Sequence, residues 1–123
     1  MRYAREYQSK RVTADQAVQA VKSGDWIDYG EFCGQVRDLD QALAKRKDEL
    51  RDVKIWSTVN PYPTAVNSVD PSGESFVWHS WHFSGADRGI AKTGKPVYYA
   101  PIKYSEGPRY IRERIAPLDV ARV

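Results

Sequence analysis

The stretch Asp25-Trp26-Ile27-Asp28-Tyr29-Gly30 is a short run of β-forming residues closed by a glycine, and Val53-Lys54-Ile55-Trp56-Ser57-Thr58-Val59 alternates apolar and polar residues as a strand does. Between them Leu39, Ala42, Leu43 and Leu50 fall on one side of a helix, with Asp38 as its N-cap and Lys45-Arg46-Lys47-Asp48-Glu49 as its polar face. Upstream, Thr13-Ala14-Asp15-Gln16 has the form of a capping box, so a helix is expected to begin at Ala14. Its apolar positions Ala14, Ala17, Val18 and Val21 share one face, and Ser23-Gly24 ends it. The order helix, strand, helix, strand predicts an α/β domain with an open, largely parallel sheet flanked by helices.

Downstream, residues 60–73 hold three prolines among Asn, Ser and Asp, a composition that predicts a long irregular connection. Glu74 to Phe83 is aromatic and β-prone, Ser84-Gly85 closes it, and Asp87 to Lys92 suits a helical turn or two. Pro96 to Ile102 reads as a further short strand, and Ser105 to Ile115 as a basic, aromatic helix with Pro108 in its first turn. Leu118, Val120 and Val123 have strand character with no turn or cap after them, from which a domain incomplete at its C-terminus is expected, either a fragment or one piece of a split protein.

With 123 residues the sequence has room for one domain. No run approaches the ~18 apolar residues of a membrane span, so no membrane partner is expected. The opening Met1-Arg2-Tyr3-Ala4-Arg5-Glu6-Tyr7 lacks the apolar core of a secretory signal, and the single Cys33 excludes an internal disulfide. Both features lead to the expectation of a cytoplasmic protein. The net charge of +3 comes from 19 basic and 16 acidic residues that are interspersed, so nucleic acid is not an expected partner.

Gly30 to Gln35 lies beyond the carboxyl end of a strand and before a helix, where backbone amides can hold a phosphate or an oxyanion. Its Gly-x-x-x-Gly spacing matches neither the dinucleotide fingerprint nor the P-loop, so the residues alone fit a tight turn equally well. Cys33 in that loop has no base tied to it by sequence and reads as a small filler. His79 and His82 are three apart on a strand and point to opposite faces, which opposes joint ligation, so no metal is expected. Trp78, Trp81, Phe83, Tyr98 and Tyr99 have the composition of a core, and Arg109, Arg112 and Arg114 do not share one helix face.

Four stretches in order carry a resemblance: Ser23-Gly24-Asp25-Trp26-Ile27-Asp28-Tyr29-Gly30, then Leu39 to Leu50, then Trp78-His79-Ser80-Trp81-His82-Phe83-Ser84-Gly85-Ala86-Asp87-Arg88, then Pro108-Arg109-Tyr110-Ile111-Arg112 leading to Asp119-Val120-Ala121. From about Tyr7 onward the sequence resembles the N-terminal lobe of the acetyl-CoA hydrolase/transferase family, near its 4-hydroxybutyrate and butyrate CoA-transferase branch. The resemblance implies a CoA-transferase-like N-terminal lobe over residues 1–123. The implied reaction moves coenzyme A between an acyl-CoA and a short-chain carboxylic acid through a glutamyl-CoA intermediate, without a metal. It places the nucleophilic glutamate in the missing C-terminal lobe, so no catalytic residue is expected in this chain, which alone would be inactive. Gly30, Cys33, Gly34 and Gln35 become the oxyanion and substrate loop. Relatives often have more glycine and a proline there, whereas Glu31 and Val36 intervene here. Asn60 and Tyr62, after the second strand, are candidates for the acyl pocket from position alone. The implied partners are the acyl-CoA, the acid, the C-terminal lobe in cis or in trans, and further copies in a homo-oligomer. A non-catalytic binding or scaffold module derived from the lobe, or part of an acyl-CoA hydrolase, are the competing readings.

Overall fold

The computed structural model describes residues 3–114 and 117–120. Four strands form one parallel sheet in the order β1-β2-β3-β4: β1 Trp26–Glu31, β2 Val53–Thr58, β3 Phe76–His82 and β4 Val97–Tyr99. Ile27 faces Ile55, Ile55 faces Trp78 and Trp78 faces Val97, so these residues share one side of the sheet. Helix α2 (Ala14–Ala17) precedes β1, and α3 (Arg37–Ala44), α4 (Ala65–Val69) and α5 (Gly85–Lys92) carry the connections. The core forms where their apolar sides meet that face, with Val18, Leu43 and Val66 packed among Ile27, Ile55, Phe76 and Trp78.

Buried polar groups stitch the helices to the strands. Asp40 of α3 accepts from the Tyr29 hydroxyl at 3.2 Å and from the Ala65 and Val66 amides at 2.5 and 3.2 Å. It thereby caps α4, whose own N-cap Thr64 makes no side-chain cap bond. Asp87 of α5 accepts from Trp78 Nε1 at 2.8 Å, from Ser80 Oγ at 3.1 Å and from the Ser84 amide at 2.6 Å. At the amino ends of the strands Lys95 donates to the Asp70 carbonyl at 2.7 Å, and its ammonium lies 3.8 Å from the Asp70 carboxylate. Burial pushes the Lys95 ammonium down, opposed by Asp70. Burial would raise Asp70, but the Phe76 amide, the Ser72 hydroxyl, Lys95 and the Ser75 amide together hold it below the usual carboxylate range.

The opposite side of the sheet is aromatic. Trp26 stacks on Trp56 at 5.1 Å between centroids, Trp56 meets His79 at 5.1 Å, and His79 stacks on Tyr98 at 4.8 Å, one ring from each strand. Desolvation and then the Lys54 charge lower the His79 imidazole to about 4, with Asp52 opposing.

After β4 the chain makes a 3₁₀ turn, Tyr104–Glu106, and helix α6, Gly107–Arg112. It crosses the aromatic side near the carboxyl end of the sheet, where Trp56 Nε1 donates to the Pro117 carbonyl at 3.3 Å. Val120 then bridges Ile27 in parallel, with the Asp28 amide donating to Val120 and the Val120 amide to Trp26. This pairing uses the β1 edge that β2 leaves free.

Several expectations are corrected. Val36, not Asp38, stands at the N-cap of α3, and Asp38 lies in its first turn. Leu50 is buried but lies beyond the end of that helix. The connection 60–73 contains α4, and the polar start contains a helix, α1 (Ala4–Lys10), with no buried residue. Trp56, on the aromatic side of β2, is buried as well. The expected ends at Ile115 and Val123 lie outside the described residues.

Candidate functional site

The strand order builds a crevice before any ligand is considered. β1 to β4 step in one direction with their helices on one face, whereas the return to Val120 steps back past β1 across the other face. In open α/β sheets such a reversal leaves a crevice at the carboxyl ends of the two strands flanking it, and ligands bind there. The end of β1 and the loop after it, residues 30–36, stand at that point.

Two of the four non-glycine residues with positive φ among the described residues stand at these same ends, the others being Asp52 and Arg114. Gly30 has φ +70°, which glycine tolerates, and the Gly30 amide is held by Asp28 Oδ1 at 2.8 Å. Phe32 has φ +47° and Val59, just past β2, has φ +48°. A β-branched or bulky residue in this region costs of order 1–3 kcal/mol, and such strain concentrates at functional sites.

Of the six buried side-chain polar atoms without a partner among the described residues, five stand there too, the sixth being Asn67 Oδ1 on α4. Gln35 Oε1, Ser57 Oγ, both amide atoms of Asn60 and Trp81 Nε1 are buried without a protein hydrogen-bond partner. Each such group costs about 1–3 kcal/mol unless something outside these residues satisfies it. All four residues lie in or just beyond the carboxyl ends of β1, β2 and β3.

The sequence-predicted residues divide between two neighbouring loops. Gly30 ends the regular part of β1, and Cys33 and Gly34 form a 3₁₀ turn with Phe32. Cys33 is exposed and free, while Gln35 is half-buried. Gln35 Nε2 donates to the Tyr62 carbonyl at 3.4 Å, which joins the β1 loop to the β2 loop. Asn60 is buried, and Tyr62 is exposed with the Arg37 guanidinium 5.7 Å from its ring centre.

On the aromatic side the ends of the strands enclose a hollow of about 400 Å³, lined by Glu31, Thr58, Trp81, His82, Tyr104 and Arg112 among others. Gly107 stands at its wall, where a Cβ would lie 3.6 Å from the Trp81 ring, at ordinary van der Waals contact. Desolvation and then the Glu31 carboxylate raise the Tyr104 hydroxyl above its usual range. Sequence reasoning missed this hollow and Ser57. For Ser57 a signal existed, a polar residue on the face that Val53 and Ile55 bury. Among the described residues no group of three or more His, Cys, Asp or Glu is placed to hold a metal ion.

The profile of the acetyl-CoA hydrolase/transferase N-terminal domain matches residues 1–122. The chain belongs to the acetyl-CoA hydrolase/transferase family. Within that family, it is 47% identical over 116 residues to a protein from Syntrophomonas wolfei named probable butyrate:acetyl-CoA coenzyme A-transferase, covering 94% of this chain and 26% of the relative. It is 45% identical over 121 residues to the butyryl-CoA:acetate CoA-transferase of Anaerostipes caccae, covering 98% of this chain and 27% of the relative. The 4-hydroxybutyrate coenzyme A transferase of Clostridium kluyveri is 27% identical over 127 residues. The chain thus spans about a quarter of the length of these relatives. Its fold is that of RipA from Yersinia pestis, with a TM-score of 0.80 at 20% identity, covering 98% of this chain and 30% of that one. The parallel sheet flanked by helices and the N-terminal-lobe assignment therefore stand. No helix among the described residues is long and apolar enough to cross a membrane.

Proposed function

We propose that residues 1–123 are the N-terminal lobe of an enzyme that transfers coenzyme A between an acyl-CoA and a short-chain carboxylic acid. The observation that carries this reading is the 45–47% identity of nearly the whole chain to butyrate and butyryl-CoA transferases. In the proposed cycle a glutamate outside residues 1–123 attacks the thioester carbonyl, giving an acyl-glutamyl anhydride and CoA thiolate. The thiolate attacks the glutamyl carbonyl, releases the first acid and leaves a glutamyl-CoA thioester. An acceptor acid then runs the two steps in reverse and departs as the new acyl-CoA.

The contribution of this lobe is positional and electrostatic. The Gly30 and Gln35 amides are held by Asp28 Oδ1 and the Phe32 carbonyl, and the loop amides left unpaired between them face the negative charge that develops on the thioester oxygen, with Gly30 and Gly34 allowing close approach and Cys33 and Gln35 completing the loop. The Asn60 amide, buried and without a protein partner, supplies a donor and an acceptor beside it. Tyr62 borders the acyl group. Nothing in these roles requires a nucleophile from residues 1–123, and the chain alone is expected not to turn over. The lobe is assigned to the cytoplasm, and the assembled enzyme to a homo-oligomer.

The deciding assay is acetyl-CoA formation from butyryl-CoA and acetate. Residues 1–123 fused to the C-terminal three quarters of the Anaerostipes relative are expected to be active, with double-displacement kinetics. Inactivity of a folded fusion whose unfused parent is active refutes the reading. In the active fusion Asn60→Ala is expected to lower kcat/KM by about 10-fold to 100-fold, the loss of one or two buried hydrogen bonds.

A further inference from the structure

We infer that the hollow between the carboxyl ends of the strands and α6 holds the pantetheine arm of coenzyme A, the chain of amides, methylenes and methyl groups that ends at the sulfur. The inference deepens the transferase reading above and rests on it, because that reading supplies the thioester.

Three observations carry it. The first is place. The hollow lies on the aromatic side and shares Glu31 with the end of β1, whereas Tyr62 lies toward α3, tied to Gln35 and Arg37. A thioester sends its acyl group and its sulfur away from the carbonyl carbon in different directions. With the acyl group at Tyr62, the sulfur substituent leaves toward the hollow. The second is size. A volume of about 400 Å³ is that of a pocket enclosing a drug-sized molecule, and it far exceeds what an acetyl or butyryl group fills.

The third is the pattern of the lining. Ile102, Pro108 and Ile111 form an apolar wall suited to methylenes and methyl groups. Among them stand single polar groups that the protein leaves unused. Thr58 is only 6% exposed and its hydroxyl makes no hydrogen bond with the described residues, and Trp81 Nε1 is buried without a partner. Glu31 adds an acceptor. A hydrocarbon tail leaves these groups unpaired and a carboxylate is repelled by Glu31, whereas amides offer donors and acceptors at intervals along an apolar chain. Arg112 also lines the hollow. Arg109 is paired with Glu106 and Glu113, and Arg114 with Asp119, but Arg112 has no acidic partner among the described residues. Its free charge suits the pyrophosphate at the far end of the arm.

The test is isothermal titration calorimetry on the protein as its gene encodes it. One ligand is desulfo-CoA, which carries the arm without a reactive thiol, and the other is the phosphorylated ADP half of coenzyme A, which lacks the arm. Thr58→Val removes the unused hydroxyl at nearly constant volume, and Ile111→Trp fills the hollow from a position that is 43% exposed. Both variants are expected to keep the wild-type melting temperature. Thr58→Val should bind desulfo-CoA about 3-fold to 10-fold more weakly, the loss of one hydrogen bond. Ile111→Trp should bind it about 10-fold more weakly or worse, through overlap with the arm. Affinity for the ADP half should not change in either. Unchanged desulfo-CoA affinity in Thr58→Val or in a folded Ile111→Trp overturns the inference, and so does an equal loss for the ADP half. A raised KM for acetate with desulfo-CoA affinity intact also overturns it, by giving the hollow to the acid. Transfer from butyryl-CoA to acetate by the wild type separates the two claims. Transfer with desulfo-CoA binding indifferent to both variants keeps the transferase reading and removes the hollow from it, whereas a wild type that neither transfers nor binds desulfo-CoA refutes the reading itself.

Discussion

Asp40→Ala is expected to destabilise the chain by about 2–4 kcal/mol, and Asp40→Asn by about 1 kcal/mol or less. The carboxylate holds three donors from two other elements, the Tyr29 hydroxyl on β1 and the Ala65 and Val66 amides that open α4. Alanine strands two backbone amides in a region where Asp40 and Val66 are buried, at about 1–3 kcal/mol per unsatisfied group. Part of that loss is offset because the charge itself is no longer desolvated. Burial raises the Asp40 carboxyl despite the opposing Ala65, Val66 and Tyr29 bonds, so ionising it in the fold is unfavourable. Asparagine keeps one acceptor for an α4 amide, offers an N–H to the Tyr29 oxygen and carries no charge. The sign with pH follows from the raised value: the wild type is most stable relative to Asp40→Asn below the ordinary carboxylate range, and loses ground as pH rises through the raised one. Urea unfolding read by circular dichroism measures both variants. With a slope of about 1.5–2 kcal/mol per molar, the alanine midpoint should fall by about 1–2 M at unchanged slope. An alanine variant within about 0.5 kcal/mol of wild type, or an asparagine variant as damaged as alanine, refutes the claim that Asp40 caps α4 from a distance.

His79, lowered to about 4, binds its proton more weakly folded than unfolded, so stability should fall as pH drops from about 6.5 to about 4. At full strength that gap is about 3 kcal/mol, and solvent screening at this half-exposed site reduces it to about 1–2. Thermal melts of His79→Phe should lack this slope. Lys95→Ala leaves the buried Asp70 carboxylate with its Ser72, Ser75 and Phe76 hydrogen bonds but without its cation and should cost about 3–5 kcal/mol by chemical denaturation, with Asp70→Asn/Lys95→Met recovering part of it. Val59→Gly relieves a left-handed β-branched residue and should leave the melting temperature unchanged or raised by a few degrees. A loss of more than about 1 kcal/mol in Val59→Gly would show that its side chain matters more than its backbone.

The elements legible in the sequence are those whose signals are local. The capping box at Thr13 and Gln16 forms as its residues predict, with the Gln16 amide donating to Thr13 Oγ1 and Gln16 Oε1 accepting from the Thr13 amide. The β1 run and its closing Gly30 are read from composition, and the strand at 76–82 from its aromatics. α4 is different, because its cap comes from Asp40, 25 residues upstream, and nothing within Thr64 to Val69 announces a helix. α1 buries no side chain, so it has no apolar stripe to detect. The site divides in the same way. Glycines mark the β1 loop, whereas the left-handed Phe32 and Val59 are held by surroundings that their residue types do not reveal. The orphaned atoms of Gln35, Ser57, Asn60 and Trp81 become visible only when three strand ends stand side by side.

The bridge between Ile27 and Val120 also sets a clock. Trp26 receives its edge partner from Asp119, 93 residues later in the chain. At a synthesis rate of about 5–20 residues per second, β1 leaves the ribosome with one edge open for roughly 5–20 s. During that interval its free amides and carbonyls, flanked by Trp26 and Ile27, are a template for any extended segment within reach. Slowing translation between codons 31 and 118 should therefore lower the soluble yield of the newborn chain, and a chaperone that shields strand edges should restore it.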